Sequence, residues 1–201
     1  MSEATTKEFS VIGKSVPKID ARDKVTGRAK YTGDMKVTGM LIGKILRSPH
    51  AHARILSIDT SKAEQLPGVE AVITAKDVPS TFYGMSPARY DETILAIEKV
   101  LQVGDKVAAV AAVDEETAVK ALRLIDVEYE VLPAVLDPLR AMDEDQPQIH
   151  PQYERNISVE IHQDFGDVEM AFQQSHLVRT DRFQGNRATH VPMEPHAAIS
   201  K

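Results

Sequence analysis

The chain has no cysteine among its 201 residues. Disulfides, thiolate metal sites and cysteine-ligated iron–sulfur clusters are therefore excluded within it, and a cytoplasmic location is expected. A long apolar run is also missing. No stretch approaches the ~18 residues of a membrane-crossing helix, so no membrane partner is expected. The opening "MSEATTKEFS" is polar and carries no secretory apolar core. Positive charge is scarce as well: 24 Lys and Arg stand against 30 Asp and Glu, a net charge of −6. Phosphate contacts need a basic surplus, so nucleic acid is not an expected partner. Neither G-x-G-x-x-G nor G-x-x-x-x-G-K-[ST] nor G-x-S-x-G occurs, which argues against dinucleotide, P-loop and serine-elbow sites. No internal repeat or low-complexity tract is present.

What remains is an ordinary globular composition, 42% hydrophobic and 27% charged. It is long enough for one large domain or two small ones with a real core. Residues 1–15 read as a flexible arm. "RAKYT" (28–32), flanked by Gly27 and Gly33, reads as a short strand between turns. "MLIGKILRSP" (40–49) and "ARILSIDT" (53–60) are strand candidates joined by a connection short enough for a sharp reversal. "SKAEQL" (61–66) reads as a short helix with Ser61 as N-cap. "VEAVITA" (69–75) is β-branched and strand-like. Residues 79–99 read as an extended loop, with Pro87 against a helix there.

The pattern sharpens after residue 100. "KVAAVAAV" (106–113) is a continuous apolar run, the mark of a strand buried on both faces. "DEETAVKALRLI" (114–125) opens on an N-capping Asp114 with two glutamates in the first turn. Its Ala118, Val119, Leu122 and Ile125 share a face, and Val119, Leu122 and Ile125 are expected in the core. "DVEYEVLPAV" (126–135) alternates as a half-buried strand. This strand–helix–strand order is compatible with a right-handed crossover between parallel strands, although the pattern does not set the pairing. Residues 136–156 read as a short helix and a proline-punctuated surface linker. "VEMAFQQS" (168–175) reads as a helix, and "HLVRTDRFQ" (176–184) and "HVPMEPHAAIS" (190–200) as strands.

Two histidine pairs invite a metal hypothesis: His50 with His52, and His190 with His196. Neither has the i, i+4 spacing of a helical two-histidine site, and no cysteine supports them. On a strand, positions 190 and 196 would share a side, yet the favoured reading is turns and domain contacts, with no metal site. "SPHAHARI" (48–55) is either a substrate-binding corner or, as favoured, a tight connection with Arg54 paired to a carboxylate. Glu194 between His190 and His196 could carry acid–base work, but a structural hydrogen-bonding role is favoured. Read from residues alone, this is a two-part α+β chain without a complete active site.

Five ordered segments now point one way. They are "GKSVPKIDARDKVTGRAKYTGDM", "LRSPHAHARILSIDTSKAEQLPGVEAVITAKDVP", "VGDKVAAVAAVDEETAVKALRLIDVEYEVLPAV", "FGDVEMAF" and "HVPMEPHAAIS". Together they resemble the N-terminal part of the large, molybdopterin-binding subunit of the xanthine dehydrogenase and aldehyde oxidase family. Among its members, the bacterial 4-hydroxybenzoyl-CoA reductase and carbon monoxide dehydrogenase types are the nearest in character. The resemblance implies an a/b hammerhead domain over residues 16–135, a linker over 136–156, and an incomplete molybdopterin-binding domain over 157–201. Lys106 stands where that family's "VGxPVA" pattern has proline, and Leu101-Gln102 where an arginine and an aromatic are frequent.

The family's metal-side glutamine, "GGGFG" loop and catalytic glutamate lie downstream of "PMEP". No catalytic residue is therefore expected in this stretch. His190 and Glu194 fall where the cofactor domain begins and are the candidate cofactor-side residues. The resemblance implies a molybdenum hydroxylase that oxidises a carbon centre or reductively dehydroxylates it. Molybdopterin would be bound by the complete enzyme and not by this chain alone, with iron–sulfur clusters and FAD on partner chains. The expected partners are the remainder of the molybdopterin-binding subunit, an iron–sulfur subunit and an FAD subunit. The competing expectation is a non-catalytic, stand-alone binding or assembly module that keeps the hammerhead fold. Because "HVPMEPHAAIS" stops in mid-pattern, the chain is expected to be the front of something larger.

Overall fold

The computed structural model describes residues 9–84, 90–186 and 188–201. Expectations for residues 1–8 and for Pro87 lie outside the described residues. The chain divides into two units. One comprises the described residues up to Thr38 together with Asp181–Lys201, and the other is Gly39–Thr180.

In the first unit the one α-helix among the described residues is α1 (Ala21–Val25), which buries no residue. Gly27, at φ +68°, closes it. The Arg28 amide reaches Asp23 O at 2.8 Å and the Gly27 amide reaches Lys24 O at 3.2 Å. This is the Schellman pattern, which requires a left-handed residue just past the helix. The strand expected over 28–32 does not form. Its first residues complete the helix cap, and Asp34 Oδ2 takes the Tyr31 amide at 3.1 Å into a single 3-10 turn. "HVPMEPHAAIS" also forms no strand. Pro192 and Pro195 remove two ladder donors.

The second unit contains β1 (Ile42–Arg47), β2 (Ala53–Asp59), α2 (Ser61–Glu64), β3 (Val69–Thr74), β4 (Lys99–Val100), β5 (Lys106–Ala112), α3 (Glu115–Leu124), β6 (Asp126–Val131) and α4 (Val168–Gln174). The strands form two three-stranded sheets, β1-β5-β3 and β4-β2-β6, and every pairing is antiparallel. Two expectations change as a result. The connection from β1 to β2 is not a hairpin, because the strands separate into different sheets. The run from β5 through α3 to β6 is not a parallel crossover, because the helix carries the chain from one sheet to the other.

Strand β5 is the centre, as its unbroken apolar run predicts. Val107, Ala108 and Ala112 are fully buried and Val110 is 2% exposed. Helix α3 starts where expected: Asp114 Oδ1 accepts the Thr117 amide at 2.7 Å. Its buried face is smaller than expected, formed by Ala118 and Ala121 with Ile125 just past the helix, while Val119 and Leu122 are half-buried. Alanine faces alanine here: Ala118 and Ala121 join Ala63, Ala108, Val110 and Ala112 in one cluster. A second cluster joins Val107 to Ala53, Ala96 and Val100 of the other sheet and its flank.

Helix α2 is capped one residue earlier than expected, at Thr60, where Asp59 Oδ1 takes the Ser61 amide at 3.0 Å. The helix expected soon after residue 136 opens into turns. Asn156 ties that segment together, donating from Nδ2 to Ala141 O at 2.9 Å and accepting the Ile149 amide at 2.8 Å. Helix α4 forms as expected, with Asp167 capping Met170 N at 2.8 Å. "HLVRTDRFQ" forms no strand. All described residues from 158 to 201 are exposed. Among the described residues, no helix is long and apolar enough to cross a membrane.

Candidate functional site

A concavity lies in the second unit, where the turn before β5 meets the 91–99 segment. It encloses about 510 Å³ and is lined by Arg47, Asp91, Glu92, Lys99, Lys106 and His150 among others. Local chemistry builds it. Asp105 Oδ2 accepts the Leu101 amide at 2.6 Å and the Gln102 amide at 3.2 Å, and Gly104 takes φ +96°. That turn is stitched to the end of β1: the Ser48 amide donates to Asp105 O at 2.8 Å, the Gly104 amide to Ser48 O at 2.9 Å, and Arg47 to Gly104 O at 2.8 Å.

Lys106 then reaches across the cleft. Its Nζ donates to the Tyr83 hydroxyl, sits 5.1 Å from the Tyr83 ring centroid and lies 3.7 Å from Glu92 Oε2. Tyr83 and Glu92 pair by their backbones as an isolated antiparallel bridge. The lysine at the expected proline position thus fastens Tyr83 and Glu92 to the central strand. The departure from proline was visible in the sequence, but its partners, well upstream, were not. The acids of the cleft are committed: Asp105 to the turn, Glu92 to Lys106, and Asp91 to His150 at 3.9 Å.

In the "SPHAHARI" corner the expected pairing of Arg54 with a carboxylate is present. Arg54 lies 3.4 Å from Glu130 Oε2 across the β2–β6 ladder. Ser48 is 2% exposed and holds His50 by exchanging hydrogen bonds with its backbone at 3.0 and 3.1 Å. The His50 ring stands edge-on to Tyr129 at 5.0 Å. Burial pushes the Tyr129 hydroxyl above its usual pKa, and a hydrogen bond with Ser48 acts the other way. His52 is 4% exposed. Its Nδ1–H donates to Pro133 O at 2.6 Å. Its Nε2 is buried without a hydrogen-bond partner among the described residues. His50 and His52 thus make their contacts within the corner.

His190, Glu194 and His196 lie in the first unit and are exposed. The strand that would have aligned the two histidines is absent, and Val191 takes φ 40° between them. Among the described residues no group of three His, Asp or Glu is placed to hold a metal ion. A pterin needs a walled pocket with convergent polar groups. The described residues from 158 to 201 present only exposed side chains, so they do not by themselves fit that group.

Comparison with known proteins finds relatives for both parts of the chain. Residues 26–133 match the a/b hammerhead domain of aldehyde oxidase and xanthine dehydrogenase, and residues 149–201 match a molybdopterin cofactor-binding domain. The nicotinate dehydrogenase large molybdopterin subunit of Eubacterium barkeri is 38% identical over 96% of this chain and 45% of its own length. The nicotine 6-hydroxylase large subunit of Paenarthrobacter nicotinovorans is 34% identical over 95% of this chain and 24% of its own. Among solved structures, the aldehyde oxidoreductase of Desulfovibrio gigas superposes with a TM-score of 0.63 at 37% identity, covering 68% of this chain and 16% of that one. The chain thus spans under half the length of these curated relatives.

Proposed function

The chain belongs to the aldehyde oxidase and xanthine dehydrogenase family, and from that premise we propose that it is the front part of the molybdopterin-binding subunit of a molybdenum-dependent hydroxylase or dehydrogenase. It supplies scaffold and partner contacts to a complex that oxidises a carbon centre or reductively dehydroxylates it. One observation carries this reading. A well-packed hammerhead core is followed by a segment matched to a cofactor domain, and from residue 158 to 201 its described side chains are all exposed. Such a segment buries too little to hold a structure alone, and it gains order by packing on the remaining polypeptide of that domain.

Both curated relatives carry "subunit" in their names, which supports action within a complex. The proposed partners are the remainder of the molybdopterin-binding polypeptide, an iron–sulfur chain and an FAD chain, in the cytoplasm. Residues 16–135 are put forward as the hammerhead domain, 136–156 as the linker and 157–201 as the start of the cofactor domain. His190 and Glu194 are put forward as its cofactor-side residues. When bound, molybdopterin supplies the oxo-transfer and redox chemistry. This chain's own residues contribute the packed platform: the Asp105 turn, the Lys106 clamp and the Arg54–Glu130 ladder pair.

The test is affinity purification of the tagged chain from its native cells, with elemental analysis of the eluate before and after the partners are stripped in mild denaturant. Molybdenum and iron should co-elute with the assembly and leave with the partners. A metal-free eluate in which the chain is alone would refute the reading and favour a stand-alone module.

A further inference from the structure

The sheet β1-β5-β3 has two faces, and they are covered unequally. On one face, Leu46, Ala108, Val110, Ala112 and Val72 pack with α3. On the other, Val107 packs into the second core cluster, but the rows beyond it are open. There strand alternation places Ile45, Ala109 and Ile73 in one row across the three strands and Gly43, Ala111 and Ala71 in the next. Ile45 is 42% and Ile73 37% exposed, and Ala109 and Ala111 are only half-buried. A sheet face turned to water normally alternates to polar residues; these two rows contain none. Two isoleucines rise on either side of an alanine floor, so the face is a shallow trough running along the central strand.

Its size limits the occupant. Strand spacing and the pleat repeat make the two rows on the order of 200 Å². A stable dimer buries roughly 800 Å² per partner, so this trough is too small to hold a second copy of the chain by itself. It suits one helix, about 10 Å across, belonging to a polypeptide anchored elsewhere. Such polypeptide exists in the relatives: more than half of the Eubacterium barkeri subunit lies outside the aligned region. We propose that the face formed by Gly43, Ile45, Ala71, Ile73, Ala109 and Ala111 is the docking site for an apolar helix from the remainder of the molybdopterin-binding polypeptide. The alanine and glycine floor lets that helix approach closely, and the isoleucine rims set its direction along β5. This inference rests on the functional reading above.

The experiment uses the assembled complex purified from native cells and the free chain. Hydroxyl-radical footprinting reads side-chain oxidation at Ile45 and Ile73 in both, and a parallel purification compares Ala109→Arg with Lys120→Glu, on the exposed side of α3. Oxidation of both isoleucines should drop in the complex. Ala109→Arg should fold, with an unchanged circular-dichroism spectrum, yet co-purify at least about tenfold less, because docking would bury an unpaired charge. Lys120→Glu should assemble normally. A complex that forms while Ile45 and Ile73 stay as reactive as in the free chain overturns this inference and leaves the functional reading standing. Normal assembly of Ala109→Arg does the same. Failure of the unaltered chain to co-purify with any molybdenum-bearing polypeptide overturns both.

Discussion

Replacing Ala121 by leucine tests the packing argument, because two simple expectations for it have opposite signs. By transfer alone, the added carbons would stabilise the fold by roughly 2 kcal/mol if they met empty space. The structure offers no such space. Ala121 is fully buried on α3, and its cluster partners Ala63, Ala108, Ala112 and Ala118 are fully buried too, with Val110 at 2%. Helix and sheet approach closely because both present alanine. A leucine must push α3 off β5 or take a strained rotamer, which costs typically about 1–3 kcal/mol. The expected outcome is a melting temperature lower by roughly 3–10 °C, followed by far-ultraviolet circular dichroism, with a matching fall in the urea midpoint. A variant as stable as the parent, or more so, would show a void at the helix–sheet contact and refute the account of the core.

Three further outcomes follow from particular contacts. Gly68→Ala should destabilise by more than ~1 kcal/mol, since Gly68 sits at φ +90° and an added Cβ would lie 2.9 Å from Val113 Cγ2; equal urea midpoints would contradict this. Tyr129, raised by burial, ionises first in the unfolded chain as pH passes about 10. Its contribution is complete below that pH and lost as pH rises through the folded-state value, so Tyr129→Phe should flatten the alkaline fall in stability, and an unchanged alkaline limb would count against it. In the free chain the amides of 190–200 should exchange rapidly while Val107–Ala112 stay protected, and the former should slow in the assembled complex; equal protection in the free chain would mean that the tail is packed already.

Local elements were legible wherever a short window contained the whole cause. The α3 start needs only Asp114 and the Thr117 amide, and α4 needs only Asp167 and Met170. β5 announces its central place by an unbroken apolar run, although burial on both faces was expected and Ala109 and Ala111 on one face are only half-buried; the Arg54–carboxylate pair was anticipated, though not which acid would supply it. The strand expected at 28–32 failed because Gly27 completes a helix cap, a signal present in the sequence but read as a turn. The strand expected at 190–200 failed for a different reason. Strand pattern expresses a capacity to pair, and Pro192 and Pro195 remove two of the donors that a ladder needs.

Composition, caps and periodicity by themselves determined that this is an α+β chain and where its central strand and main helix lie, while its family was legible only as a resemblance carried by five ordered segments. Only the tertiary structure decided that β1 and β2 part into separate sheets, that α3 bridges them, and that Lys106 clamps Tyr83 and Glu92. It alone decided that part of one sheet face stays open. The physical reason is range. A cap or a helical stripe is settled within a few residues, whereas Ile42 meets Ala112 and Ala53 meets Val131 only because collapse around β5 brings distant strands into register. That choice belongs to the whole core, and no single stretch of the chain contains it.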